Sequence, residues 1–275
     1  MASLLALLSA ALWGSSDFEG GRISKRYPAI SVLGATQLIS LVFGTVLIFA
    51  VGETHITAKI FFAGAAAGIC GYLGLICLYA GLSTGKMGVV SPISSLSVII
   101  PMTVAIVGGE SLSSAKAIGC GFAIIGGFLC SGPEFSQGVA PKSLLLAVGA
   151  AFGFGTALTF MAIGAKNAPI LTMVCMRIAT AVVTIAIAIK KKGFGGLGKK
   201  NLPSLIFVGV ADFGANAALG LAVHLGPVAI CMVLGALYPI FTVLLAFFIL
   251  HERLHKAQYI GAVAAVVGVA LISAF

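Results

Sequence analysis

Long apolar runs separated by short polar or Gly/Pro-rich punctuation fill this chain from end to end. Segmentation at that punctuation predicts helices over 2–21, 29–51, 59–83, 87–108, 115–131, 142–164, 168–189, 203–225, 227–249 and 256–274. Each is close to the roughly 20 apolar residues that a helix needs to cross a bilayer. The connectors, among them RISKRYP, GGESLSSAK, KKKGFGGLGKKNLP and HERLHKAQ, hold the charges and turn residues. The predicted fold class is therefore an all-α integral membrane protein with ten transmembrane helices.

The same pattern repeats. GESLSSAKAIGCGFAIIGG aligns with HERLHKAQYIGAVAAVVGV, placing Glu110 on Glu252, Gly119 on Gly261 and Gly126 on Gly268. Upstream, Gly88 and Pro101 fall on Gly226 and Pro239, and Lys25 and Pro28 fall on Lys166 and Pro169. This predicts two five-helix units, 1–131 and 142–275. Because five is odd, the two units must enter the membrane in opposite senses. Inverted repeats of this kind characterise secondary transporters that bind substrate near the midplane.

Composition removes other classes. The chain has 275 residues, 60% hydrophobic and 8% charged, against roughly 25% charged in soluble domains. The lipid bilayer is the expected solvent, and the connectors leave no room for a soluble domain. The start MASLLALLSAALW lacks a basic leader and runs straight into WGSSDFEGG, so it is expected to stay as the first helix. The net charge of +9 comes from residues scattered between apolar segments, without the basic stripe of a nucleic-acid binder. Loops following the first helix hold Arg22, Lys25, Arg26, Lys86, Lys142, Lys190, Lys191, Lys192, Lys199, Lys200, Arg253 and Lys256; the opposite side holds Lys59, Lys116 and Lys166. The positive-inside rule then puts both termini outside. Six cysteines lie within apolar segments, none with a histidine at metal-ligand spacing. No HExxH, GxSxG, P-loop or dinucleotide motif occurs, so neither catalytic residues, metal nor cofactor is expected.

Polar groups inside apolar helices need a reason, because each costs about 2.5–3.5 kcal/mol at a helix centre. Asp212 lies roughly 14 Å along its helix from Pro203, with Asn216 one turn further on the same face. Arg177, at similar depth in the preceding antiparallel helix, is placed to meet Asp212. Two readings stand: a buried pair that fixes packing, or an acid facing a wet cavity as proton carrier or as counter-ion to an amine. Ser9, Trp13, Ser16, Asp17 and Gly20 form one stripe of the first helix. Ser91, Ser94 and Ser95 form another on the fourth, Cys231, Gly235, Tyr238 and Thr242 share a face of the ninth, and Tyr72 and Tyr79 align on the third. Together these stripes could line a central cavity. The plainer alternatives are an interfacial Trp13, headgroup-solvated acids and serines bonded to their own helix. Pro101 and Pro239 are expected to kink their helices and are the gating candidates, and Glu110 and Glu252 are expected to complement the dipole of the helix that follows each.

WGSSDF after a short apolar start, LYAGLSTGKMGVVSPISSLSVIIP and YPIFTVLLAFFILHERLHKAQYIGAVAAVVGVALIS resemble EamA-domain members of the drug/metabolite transporter superfamily. The resemblance covers essentially the whole chain, one domain per half. It implies a ten-helix, multi-pass transporter of the cytoplasmic (inner) membrane with a central cavity, commonly an exporter of amino acids or other small metabolites. Trp13 to Phe18, Ser91 to Pro101 and Tyr238-Pro239 occupy the family's motif positions. GFGTALTF replaces WGSSDF in the second half, so a symmetric two-acid mechanism is not expected. Related transporters are commonly drawn with both termini inside, against the charge count.

The expectation is a secondary transporter moving a small polar or amphipathic metabolite by alternating access, with protons as a candidate coupling ion. Asp17 and Asp212 are its charge-bearing candidates; Trp13, Ser16, Tyr79, Ser91, Ser94, Ser95, Arg177, Asn216 and Tyr238 complete the set. Monomer and homodimer both stay open. A sugar or lipid-carrier translocator on the same fold is the first competitor, and an integral-membrane enzyme acting on lipid-linked substrates is the second.

Overall fold

The computed structural model describes residues 1–84, 87–133, 140–190, 196–251 and 253–274, apart from the side chains of 79, 82–84, 87 and 88. Among the described residues the chain is all helix and turn, without a strand. The helices are α1 (Ala2–Ser24), α2 (Ala29–Val51), α3 (Ala58–Thr84), α4 (Met87–Ser95), α5 (Ile99–Val107), α6 (Ser114–Cys130), α7 (Pro141–Ala165), α8 (Pro169–Lys190), α9 (Leu202–Leu225), α10 (Val228–Gly235), α11 (Tyr238–Leu250) and α12 (Lys256–Ala274).

Two predicted helices are broken. The fourth divides into α4 and α5 at a 3-10 turn, Leu96–Val98, and the ninth into α10 and α11 at Ala236-Leu237. Each break lies just before a proline. Pro101 and Pro239 have no N–H for the carbonyl four residues back, which frees Ser97 and Gly235 from the α-helical ladder and lets the chain tighten or turn there.

Among the described residues eight segments are long and apolar enough to cross a membrane: Ala29–Val51, Ala58–Leu78, Val89–Val107, Pro141–Ala165, Pro169–Lys190, Lys199–Leu225, Val228–Leu250 and Lys256–Ala274. The α6 helix, Ser114–Cys130, is apolar but shorter. In α1 the run Ser15, Ser16, Asp17 and Glu19 dilutes the apolar content of a 23-residue helix. The protein is a multi-pass membrane protein. Its exposed surface carries large apolar side chains such as Phe49, Val107, Phe248 and Val266, whereas Gln37, Ser40, Arg177, Thr180 and Asn216 are buried. Water would not tolerate that distribution as a free surface; lipid does.

Packing places the polar stripes. The α1 helix lies along α9 and also touches α10 and α11, α2 packs on α8 and α9, α3 on α7, and α6 on α12. Small residues set these approaches. A Cβ at Gly126 of α6 would fall 2.7 Å from the Gly261 carbonyl oxygen of α12. A Cβ at Gly14 of α1 would fall 2.7 Å from the Tyr238 carbonyl oxygen of α11. Glycine at position 14 is thus what brings Trp13 and Asp17 against the break in the ninth predicted helix.

Candidate functional site

Four helices contribute to a polar cluster centred on Asp212. Asp212 sits ten residues into the 24-residue α9, near its middle. Its Oδ2 accepts from an Arg177 guanidinium nitrogen of α8 at 2.6 Å and from the Gln37 amide of α2 at 3.5 Å. Its Oδ1 accepts from Trp13 Nε1 of α1 at 3.2 Å and from Asn216 Nδ2 at 3.4 Å. Asn216 also donates to the Asp212 backbone carbonyl at 2.8 Å, the i, i+4 contact its spacing predicts.

Each guanidinium nitrogen of Arg177 has a partner. Its remaining nitrogens donate to Gln37 Oε1 at 2.8 Å and to Ser40 Oγ at 3.0 Å, and Thr180 donates to the same Gln37 oxygen at 3.1 Å. The Arg177 side chain is 3% exposed, that of Asp212 23%. The expected meeting of Arg177 and Asp212 is present, inside a larger network. Removing one partner of such a buried pair leaves a stranded charge, at a cost of about 3–5 kcal/mol.

A second layer sits beside it. Trp13 and Tyr238 meet edge to face, with ring centroids 6.3 Å apart at 74°. Ser16 donates to the Val208 carbonyl at 3.3 Å, and Thr242 to that of Gly14 at 3.1 Å, so α1 is stitched to both α9 and α11. Asp17, one turn beyond Trp13, is different in kind. Its side chain is exposed on the helix bundle, lies within electrostatic reach of Asp212 and Tyr238, and has no hydrogen-bond or ion-pair partner among the described residues. Nearby Glu19 is already paired with Arg22 at 3.1 Å.

Other expected site residues lie elsewhere. Ser94 and Ser95 are buried on α4 and donate to their own helix, at Ser91 O (2.8 Å) and Pro92 O (2.7 Å). None of Ser91, Ser94 and Ser95 hydrogen-bonds to the Asp212 cluster. The Tyr79 side chain and Glu252 fall outside the described residues.

Glu110 departs from its expected role. Ser113 caps α6, accepting from the Lys116 amide. Glu110 instead accepts from the amides of Val228 and Ala229, both at 2.9 Å, at the start of α10. The carboxylate complements a dipole, but that of a helix 118 residues away. Glu53 accepts similarly from Leu171 of α8 at 2.9 Å. Glu110 borders a cavity of about 270 Å³ whose wall also includes Lys59, Pro101, Thr159, Lys166 and Val228. Among the described residues no group of three or more His, Cys, Asp or Glu is placed to hold a metal ion.

Gln37, Ser40 and Thr180 were missed from the sequence. The signal was there: Gln37 and Ser40 are polar residues at i, i+3 inside α2, and Thr180 is at i+3 from Arg177, each pair on one helical face.

The model of the EamA-like transporter family matches residues 1–132 and 141–274. The chain belongs to this family. A solved structure titled "Crystal structure of protein" is similar at a TM-score of 0.81 and 18% identity, covering 99% of this chain and 96% of that one. That likeness shows a shared fold. No match was found among curated proteins. The EamA-like family is one of membrane transporters, so the polar cluster belongs to a transport protein.

Proposed function

We propose that this EamA-like protein is a secondary transporter exporting small polar or amphipathic metabolites across the cytoplasmic membrane by alternating access, and that it is not an enzyme. The observation that carries the site assignment is Asp17: an exposed carboxylate on a bundle helix, without a partner among the described residues, next to a carboxylate whose every oxygen is engaged. A charge at such depth belongs to a pathway by default. Trp13, Asp17, Asn216 and Tyr238 form the substrate site in this reading, while Arg177 and Asp212 hold it in place.

The architecture is read as ten spans in two inverted units, 1–131 and 142–275. Three observations support this. The family model matches two separate stretches. The broken helices fall at corresponding places, before Pro101 and Pro239. The contact pattern has a two-fold character: exchanging the two units turns α1 on α9 into α7 on α3, and leaves α2 on α8 and α6 on α12 unchanged. Discontinuous helices at repeat interfaces are where transporters of this type bind and gate, which makes the two breaks the hinge candidates. Protons are the proposed coupling ion.

The test is counterflow in proteoliposomes. Vesicles preloaded with unlabelled amino acids and amines should take up a labelled trace of one of them faster than protein-free vesicles do. Uptake at the protein-free rate across the panel contradicts small-metabolite transport, and moves lipid-linked and sugar substrates forward.

A further inference from the structure

We infer that Asp17 is the counter-ion for a positively charged group on the transported molecule, so that the substrate class is an organic amine with an apolar body. This rests on the transporter reading above and narrows it. The argument begins with a charge inventory. Among the described residues, the charges within the body of the helices are Asp17, Arg177 and Asp212; the Glu19–Arg22 pair, Lys25 and Arg26 follow at the end of α1. Arg177 and Asp212 cancel, Glu19 and Arg22 cancel, and one negative charge remains on Asp17.

Among the described residues no lysine or arginine is ion-paired with it. Arg177 is held by Ser40, Gln37 and Asp212, one through each of its nitrogens. The neighbouring α9 offers only His224 at its far end, bonded to the Lys166 carbonyl, and α10 and α11 contain neither lysine nor arginine. An unbalanced carboxylate at this depth is costly, and a cationic ligand removes that cost when it arrives.

The surroundings select the kind of cation. A hard metal ion wants several oxygen ligands, and Asp212 has none to spare. What flanks Asp17 instead is aromatic: Trp13 one turn away on the same helix and Tyr238 against it. The Trp13 N–H is committed to Asp212, which anchors the ring by its edge. A carboxylate with two aromatic rings is the chemistry that holds an alkylammonium group, by charge-assisted hydrogen bonds and cation–π attraction.

Trp13 is the single tryptophan of the chain, so its emission reports this site alone when excited at the red edge of indole absorption. The experiment titrates the full-length protein in detergent with three probes of matched size: phenethylammonium, phenylacetate and phenylethanol. Phenethylammonium alone should change the emission saturably. Asp17→Asn should weaken its binding by about tenfold or more, the loss of one charge-assisted contact, and Asp17→Glu should retain it. An equal response to all three probes, no response to the amine, or wild-type affinity in Asp17→Asn overturns the inference. Should Asp17→Asn fail to fold, the ranking of the three probes on the wild-type protein still decides. Counterflow of the same probes separates the two readings. Amine binding without counterflow contradicts transport and keeps the cation site; counterflow of phenylacetate or phenylethanol without amine binding keeps transport and removes the amine.

Discussion

Asp212 and Asp17 are chemically identical, lie on packed helices and are within electrostatic reach of each other, yet the protein treats them in opposite ways. Asp212 has four side-chain donors on its two oxygens. Asp17 has none among the described residues and is exposed on the helix bundle. The first arrangement converts an expensive intramembrane charge into a joint between α1, α2, α8 and α9. The second leaves the charge available. The difference teaches that depth alone does not separate the two acids; in the proposed reading, unfilled hydrogen-bonding capacity does.

The largest effect expected from breaking this comparison is at the joint. Arg177→Met should destabilise the fold by about 3–5 kcal/mol, read as a lowered thermal midpoint in detergent. The double change Arg177→Met with Asp212→Leu should recover much of that loss, because no stranded charge remains. A double variant as unstable as the sum of both singles contradicts the pairing. Next in size is Glu110→Gln, which replaces a charged acceptor at the start of α10 and should cost about 1 kcal/mol. Faster hydrogen exchange at the Val228 and Ala229 amides is its signature; unchanged protection there removes Glu110 from the cap. Asp17→Asn should leave the stability within about 0.5 kcal/mol of wild type or raise it, since nothing among the described residues pairs with Asp17. Smallest of all is Ser95→Ala, which removes a hydroxyl spent on its own helix and should change stability by less than about 0.5 kcal/mol, with transport intact by counterflow.

Much of this was legible in the sequence, for a physical reason: in lipid every helix must declare itself by apolar length. The ends of α2 and α12 fall where the pattern put them, and most others within a residue or two. Pro101 and Pro239 were the expected kink positions; the helix tightens to a 3-10 turn before the first and turns at Ala236-Leu237 before the second. The Arg177–Asp212 pair was legible because two opposite charges at equal depth on consecutive antiparallel helices have little choice of partner. Contacts between distant helices were not. Nothing in the spacing said that Glu110 would reach α10, because the next helix offered a nearer N-terminus and Ser113 took it. Nor did serine periodicity say that Ser94 and Ser95 would turn back onto their own carbonyls; a hydroxyl stripe facing water and one bonded inward have the same sequence pattern.

The most direct test of the account measures folding and function together in two variants, Asp17→Asn and Asp212→Asn, each purified, melted and assayed for phenethylammonium counterflow. The account predicts that Asp17→Asn melts like the wild type and does not transport, while Asp212→Asn melts at a clearly lower temperature. A stable, inactive Asp212→Asn beside an unstable Asp17→Asn would reverse the two roles and contradict it.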